Sequence, residues 1–244
     1  MTEKQKICVS YFTNPSTFSP TVMKRTLCTL SLVGASLLAA GSVFAEQFPF
    51  RDQPFPDVPQ SHPNYQAIEL LRENNIIRGY IDGTFKPTRR ISRSELVTLI
   101  TNPFFIDGLS TDDCIPMNST AGSKYVFYKD VPTDSWFAPK VCVATVRRII
   151  NGFPDNTFRP GEYINFVQVA KIAANVFAFD IKQDENAETW YRPYVKRLAD
   201  LKAIPTSIKS FNQIMTRAEA AEIIYRLKTN DQTKASATFE SLKF

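Results

Sequence analysis

The chain has 244 residues and a formal net charge of +5, and 43% of its residues are hydrophobic. This length suits one or two domains, and the ordinary apolar content is sufficient for a packed core. More than half of the formal charge lies in the first 45 residues, so the rest is nearly balanced. That balance argues against nucleic acid as a partner.

The N-terminal region has the pattern of a secretory signal peptide. Lys24 and Arg25 precede an apolar run at 27–40. The sequence Val43-Phe44-Ala45 follows this run and has the spacing of a cleavage site. We expect cleavage after Ala45, which predicts that the mature protein begins near Glu46. A membrane anchor is the alternative, although the run is short for a membrane span.

The leader also leaves the translation start open, because Met23 directly precedes the basic pair and is an alternative to the first methionine. No later segment is apolar enough to cross a membrane. The mature chain is therefore predicted to be exported to the cell envelope without a transmembrane segment.

The mature chain contains an internal repeat. The stretch 79–95 reads GYIDGTFKPTRRISRSE, and it recurs without a gap at 152–168 as GFPDNTFRPGEYINFVQ. Each copy begins with residues that tolerate a tight turn, such as Gly83 and Asn156. An aromatic residue, a cation and a proline follow in both copies, and then a helix is predicted to begin.

Capping boxes mark the start of three predicted helices, because a Ser, Thr or Asn three residues before Glu or Gln satisfies two free backbone N–H groups. The three pairs are Ser92 with Glu95, Asn165 with Gln168, and Thr216 with Glu219. Apolar residues at i, i+3 and i+4 follow each pair and predict helices over about 93–101, 166–179 and 217–227. Another amphipathic helix precedes each of them, first over about 64–75.

These motifs resemble the S-layer homology (SLH) repeat. The first copy runs from Phe55-Pro56-Asp57-Val58 to Ser92-Arg93-Ser94-Glu95, and the third ends in Thr216-Arg217-Ala218-Glu219. The resemblance implies an all-α fold in which three helix-loop-helix repeats pack as a pseudo-threefold bundle. A single helix pair cannot bury its apolar face alone, so one shared core is expected.

The repeats divide the chain into predicted segments. Repeats one, two and three are assigned to 55–101, 125–179 and 184–228. The segments between and around them are a linker at 46–54, an inserted polar surface loop at 102–124, and a polar, frayed tail at 229–244.

Two cysteines remain in the mature chain, Cys114 in the insertion and Cys142 in the first helix of repeat two. Charged residues occupy the position of Cys142 in the other repeats, so we expect its helix face to be exposed. Exported proteins meet an oxidising environment, which makes a Cys114–Cys142 disulfide the predicted state. Two free thiols are the alternative.

The sequence lacks the motifs of a catalyst. One histidine, His62, lies in a loop, and the mature chain has too few cysteines and histidines for a structural zinc site. There is no Gly-rich phosphate loop and no nucleophile elbow. We therefore predict no enzymatic activity, no metal and no cofactor.

The arginines Arg93 and Arg217 occupy the first position of their helices, where the helix dipole disfavours a cation. Replacing them is therefore expected to leave folding nearly unchanged. A cation in this position suggests an anionic partner, and the SLH resemblance implies that the motif arginine contributes to glycan-binding grooves between repeats. A solvated arginine is the alternative. Repeat two has Phe166 in this position.

Aromatic residues complete the candidate site. Trp136 and Trp190 are equivalent residues before the first helices of repeats two and three, and they serve either as core residues or as apolar walls for a sugar. The turn residues Asp82, Gly83, Lys86 and Arg159 are added as candidate glycan contacts. Because the motifs differ between repeats, we expect unequal grooves, of which one or two bind ligand.

The predicted function is non-covalent attachment to the cell wall. The resemblance implies binding of an anionic wall polysaccharide, or of a polymer linked to peptidoglycan, in the grooves between repeats. The alternative is a protein–protein module or adaptor of the envelope that binds another envelope protein and no glycan.

Overall fold

The computed structural model describes residues 53–102, 105, 110–120, 122–182 and 188–244. This part of the chain contains α1 (Tyr65–Glu73), α2 (Arg93–Ile100), α3 (Cys114–Asn118), α4 (Ala138–Val146), α5 (Phe166–Val176), α6 (Arg192–Asp200), α7 (Arg217–Thr229) and a 3-10 helix (Phe239–Ser241). Only isolated bridges and no strands occur within these ranges, which confirms the predicted all-α fold. The predicted signal peptide lies outside the described residues.

Three helices begin at the capping boxes. The side chains of Ser92, Asn165 and Thr216 each accept a hydrogen bond from the backbone N–H three residues later. The Glu or Gln at that third position in turn accepts from the backbone N–H of the capping residue. These local bonds place the starts of α2, α5 and α7 where the sequence predicts them.

A ring of three backbone hydrogen bonds connects the residues that precede these caps. The N–H of Ile91 donates to the carbonyl of Met215 at 3.0 Å, Met215 donates to Ile164 at 2.9 Å, and Ile164 donates to Ile91 at 3.2 Å. All three side chains are fully buried. The ring joins three helix pairs that are far apart in sequence around a pseudo-threefold axis.

The helix pairs also interlock cyclically. Helix α2 packs against α4, α5 packs against α6, and α7 packs against α1, so the second helix of each pair contacts the first helix of the next. Their buried apolar residues form one continuous core. A shared core is therefore observed, because no pair covers its apolar stripe by itself.

The insertion is more ordered than predicted. Its described residues include α3, which packs against α4, and a disulfide joins Cys114 to Cys142 with the Cα atoms 6.1 Å apart. Cys142 is fully buried, so the expected exposure of its helix face is wrong. The reason is that α2 and α3 both cover α4, whereas sequence equivalence treats the three first helices alike.

The C-terminal segment is not a frayed tail. Helix α7 continues to Thr229, and the chain beyond it turns back onto the third helix pair. The N–H of Ala237 donates to Ile204 at 2.9 Å, the N–H of Lys243 donates to Lys209 at 3.0 Å, and Leu242 is buried. The prediction failed because these contacts join residues that share no sequence pattern. Within the described ranges, every helix is too short or too polar to span a bilayer.

Candidate binding grooves

Two surface grooves lie where one helix pair meets the next. Groove A has a volume of about 460 Å³, and its lining includes Arg93, Gly152, Phe153, Gln168, Lys171 and Trp190. Groove B has a volume of about 200 Å³, and its lining includes Gly79, Tyr80, Glu95, Thr98, Trp136 and Arg217. The larger volume falls in the range of small-molecule sites.

The two grooves are built from equivalent positions of the repeat. An arginine from the start of one helix and a tryptophan from the loop before another line each groove, namely Arg93 with Trp190 and Arg217 with Trp136. A glycine and an aromatic residue form the same part of the lining in both. The pairs that differ in charge are Gln168 against Glu95, Lys171 against Thr98, and Asn151 against Arg78.

In groove A, Arg93 is a buried cation, with 6% of its surface exposed. Its Nε donates to the carbonyl of Phe158 at 2.8 Å, and its guanidinium lies over the rings of Phe153 and Phe158. No carboxylate of the described residues lies within ion-pair distance, and burial lowers the pKa of Arg93 below its ordinary value. The terminal Nη groups are thus able to bind an anion.

In groove B, Arg217 has a similar anchor but a different electrostatic environment. Its Nε donates to the carbonyl of Phe85 at 2.9 Å, and burial lowers its pKa as well. The carboxylate of Glu95 lies 3.9 Å from Arg217 and 2.5 Å from Arg89. Burial alone would raise the pKa of Glu95, but the hydrogen bond from Ser92 N–H and the Arg89 guanidinium outweigh burial and lower it.

Both arginines make contacts that the expectation of a small effect on folding did not include. Each Nε hydrogen bond reaches the loop of another helix pair, across 65 residues for Arg93 and 132 residues for Arg217. The alternative of a solvated arginine does not fit this burial. The expectation did not include these contacts because the helix-dipole argument considers one helix alone, whereas the neighbouring loop supplies them.

The tryptophans lie at the groove surface. Trp136 is 63% exposed, and Trp190 is partly buried against the core, with the Lys171 ammonium 5.3 Å from its ring. An exposed tryptophan is an unusual solution for core packing but suits contact with an apolar sugar face.

The family-model comparison matches the same repeats. The S-layer homology domain matches residues 54–97 and 127–170, which hold the loops and second helices described above. Each of these two segments matches one SLH domain. The chain is accordingly an exported protein of the cell envelope.

Several curated relatives are named as proteins of the cell surface or cell wall, and two others are named as enzymes, an exoglucanase and an amylopullulanase. The chain is 27% identical to cell surface glycoprotein 1 of Acetivibrio thermocellus over 55% of its own length and 6% of the relative. It is 31% identical to the cellulosome-anchoring protein of the same species over 43% and 22%, and 24% identical to S-layer protein sap of Bacillus anthracis over 78% and 23%. The chain thus spans less than a quarter of each of these relatives.

The turn residues of the SLH domains have internal partners. Asp82 accepts hydrogen bonds from Thr84 and pairs with Lys86 at 2.8 Å, which together lower its pKa to about 2. Arg159 pairs with Asp155 at 3.2 Å in the second domain. Asp82, Gly83, Lys86 and Arg159 do not line groove A or groove B. Glycan contact by these four residues stays a prediction.

Sequence reasoning missed the function of the SLH motif aspartates. Both oxygens of Asp57 accept backbone hydrogen bonds, from Phe85 N–H at 2.8 Å and Lys86 N–H at 2.7 Å, and Asp130 holds the second loop in the same way. The signal available in the sequence was an Asp at the same position before the first helix of each matched repeat. These carboxylates hold the loops that carry the carbonyl partners of Arg217 and Arg93.

Lys171 was also missed as a groove residue. It lies three residues after Gln168 on α5, whose other residues are mostly apolar, and this isolated charge was the signal available in the sequence. Lone charges of this kind are common, so only the groove identifies its position. Among the described residues, no cluster of His, Cys, Asp and Glu is arranged to hold a metal ion.

At the third junction between helix pairs, the chain itself fills the place that corresponds to grooves A and B. Phe166 occupies the arginine position, and Glu222 occupies the position of Lys171 and Thr98. Glu222 is 1% exposed and pairs with Arg226 at 2.8 Å and with Lys234 of the C-terminal segment at 3.0 Å. Residues 234–237 cover this position, since Ala235 and Ala237 bond to Arg226 and Ile204.

Proposed function

We propose that this chain attaches non-covalently to the cell wall by binding an anionic wall polysaccharide, or a polymer linked to peptidoglycan, through grooves A and B. The observation that carries the proposal is the recurrence of a desolvated arginine and a tryptophan in the lining of both grooves. Guanidinium groups form charge-assisted bonds to carboxylates and phosphates, and an indole ring packs against a sugar face. One relative is named as an anchoring protein, which agrees with this function.

The helix pair α6 and α7 serves in this proposal as a third SLH repeat, at 184–228. It lies outside the matched residues, but it has the same capping box and the same position in the central hydrogen-bond ring. Its loop supplies Trp190 to groove A, and Arg217 of α7 lines groove B. Both grooves therefore require the third pair.

Co-sedimentation with purified cell walls tests the proposal. We expect the wild-type chain to bind intact walls and to lose binding when secondary polymers are removed from them. A Trp136→Ala, Trp190→Ala double variant should bind at least about tenfold more weakly, because stacked aromatic contacts contribute roughly 1–3 kcal/mol each. Tyr163→Ala is a matched control, since Tyr163 is half exposed but lies outside both grooves. Equal binding of the two variants contradicts the proposal.

Protein–protein binding in the envelope is the second candidate. Its supporting observation is Met117, which is 80% exposed on α3, the helix that the disulfide holds against α4. Exposed methionines suit adaptable protein interfaces. Two results together would replace the first function with this one. Met117→Ser would have to abolish cross-linking of the chain to an envelope protein, and purified walls would have to fail to compete with that cross-linking.

A further inference from the structure

The two grooves differ in charge at three equivalent positions. One is the exposed pair of Asn151 in groove A and Arg78 in groove B, and the other two are half-buried. Groove A has the neutral Gln168 where groove B has Glu95, and it has Lys171 where groove B has Thr98. Gln168 and Glu95 both complete a capping box, so the helix start is preserved in either case. The difference therefore affects the groove rather than the fold.

Groove A presents two cations and no acid. Lys171 forms no ion pair with any described residue, and the same holds for Arg93. The nearby carboxylates are used elsewhere, since Glu162 lies 3.8 Å from Arg159 and Asp130 accepts two backbone hydrogen bonds. A carboxylate that enters groove A meets a desolvated guanidinium and an ammonium at once.

Groove B already contains its own carboxylate. Glu95 lies between Arg217 and Arg89, and Tyr80 also donates to it at 3.4 Å. A second carboxylate in this groove would be repelled by Glu95, and Thr98 offers no charge to offset that repulsion. Arg78 is the other cation in the lining, but it is exposed, so water screens its charge.

From these contacts we infer that recognition of a carboxylate-bearing sugar is confined to groove A, and that Lys171 and Gln168 are the residues that decide this specificity. The inference rests on the proposed function, because it assumes that the grooves bind wall sugars. It predicts that each chain binds one acidic sugar unit, in groove A. Groove B should show no preference for acidic over neutral sugars.

The chain provides one reporter for each groove, because its two tryptophans are Trp190 in groove A and Trp136 in groove B. We would titrate the ¹⁵N-labelled protein with N-acetylmuramic acid and follow both indole N–H resonances by NMR. N-acetylglucosamine is the matched neutral probe, since it lacks the lactyl carboxylate. We expect Trp190 to report about tenfold tighter binding of the acidic sugar, with a salt-dependent affinity, and Trp136 to report no such preference.

Exchange variants complete the test. Lys171→Thr with Gln168→Glu should abolish the acidic preference at Trp190, while Thr98→Lys with Glu95→Gln should create it at Trp136. Lys171→Thr alone is a milder variant that should reduce the preference if a double variant does not fold. An equal acidic preference at both tryptophans in the wild type, or none at Trp190, overturns the inference. Wall co-sedimentation of the same samples reports separately on the proposed function.

Discussion

Arg93 donates a hydrogen bond through Nε to the carbonyl oxygen of Phe158 at 2.8 Å and thereby joins the first SLH domain to the second. Arg217 makes the equivalent bond to Phe85 at 2.9 Å. The arginines that we propose as ligand contacts thus also hold neighbouring helix pairs together. Their anchoring fixes the position of the guanidinium groups before any ligand binds, which reduces the entropy lost on binding.

Replacing Arg93 with alanine should therefore destabilise the protein. We expect the free energy of unfolding to fall by about 1.5–3 kcal/mol, the usual contribution of a hydrogen bond made by a charged group. Chemical denaturation measures the change. The exposed Arg90 is the control, and Arg90→Ala should change stability by less than about 0.5 kcal/mol. Equal midpoints for the two variants would show that the Phe158 contact contributes nothing to folding.

Glycine is required where the loops pass close to the first motif of each SLH domain. Gly79 has a φ of +68°, and a Cβ there would lie 2.7 Å from the carbonyl oxygen of Thr84. Gly152 has a φ of +67° and a similar conflict at 2.9 Å with Thr157. We expect Gly79→Ala and Gly152→Ala each to reduce stability by about 2 kcal/mol or more.

Gly161 provides the matched glycine control. A Cβ at this position has no heavy atom within 4 Å, so Gly161→Ala should leave the melting temperature almost unchanged. Thermal melts of the three variants compare the positions directly. A similar loss at Gly161 and Gly79 would mean that the loop contact is not its cause, because an unstrained Gly→Ala change stabilises a protein through the unfolded chain.

The disulfide should stabilise the fold by constraining the unfolded chain. Cys114 and Cys142 are separated by 28 residues. For a loop of this length, the loop-entropy model gives about 3.6 kcal/mol. Cys114→Ser with Cys142→Ser should lose this amount, and reduction of the wild type should have a comparable effect. The double variant serves as its own control, because a reductant should not lower its melting temperature further.

The C-terminal segment should contribute to stability through its packing on the third helix pair. Removing residues 238–244 removes the buried Leu242 side chain and exposes the surface that it covers. We therefore expect the free energy of unfolding to fall by about 2 kcal/mol, the value of burying one leucine side chain. Lys243→Ala is a mild control, since Lys243 is exposed. If the truncated chain unfolds at the same denaturant concentration as the full chain, the segment contributes no net stability.

The features that could be predicted from sequence are local. The capping boxes at Ser92, Asn165 and Thr216 depend on residues three positions apart, and such pairs form in the same way in any fold. Recurrence of the motif across the chain supplied the number of helix pairs and the all-α class. The positions of the two tryptophans followed from the same alignment of repeats.

The sequence by itself determined where helices start, where turns fall and which residues recur, because these depend on hydrogen bonds and periodicities between near neighbours. Only the tertiary structure decided that α2 packs on α4 rather than on its own partner, that Arg93 is buried, and that residues 234–237 cover the third groove position. Burial depends on which distant segments meet, and the same arginine is exposed or desolvated according to the loop that lies over it. The charge of each groove was decided at that level.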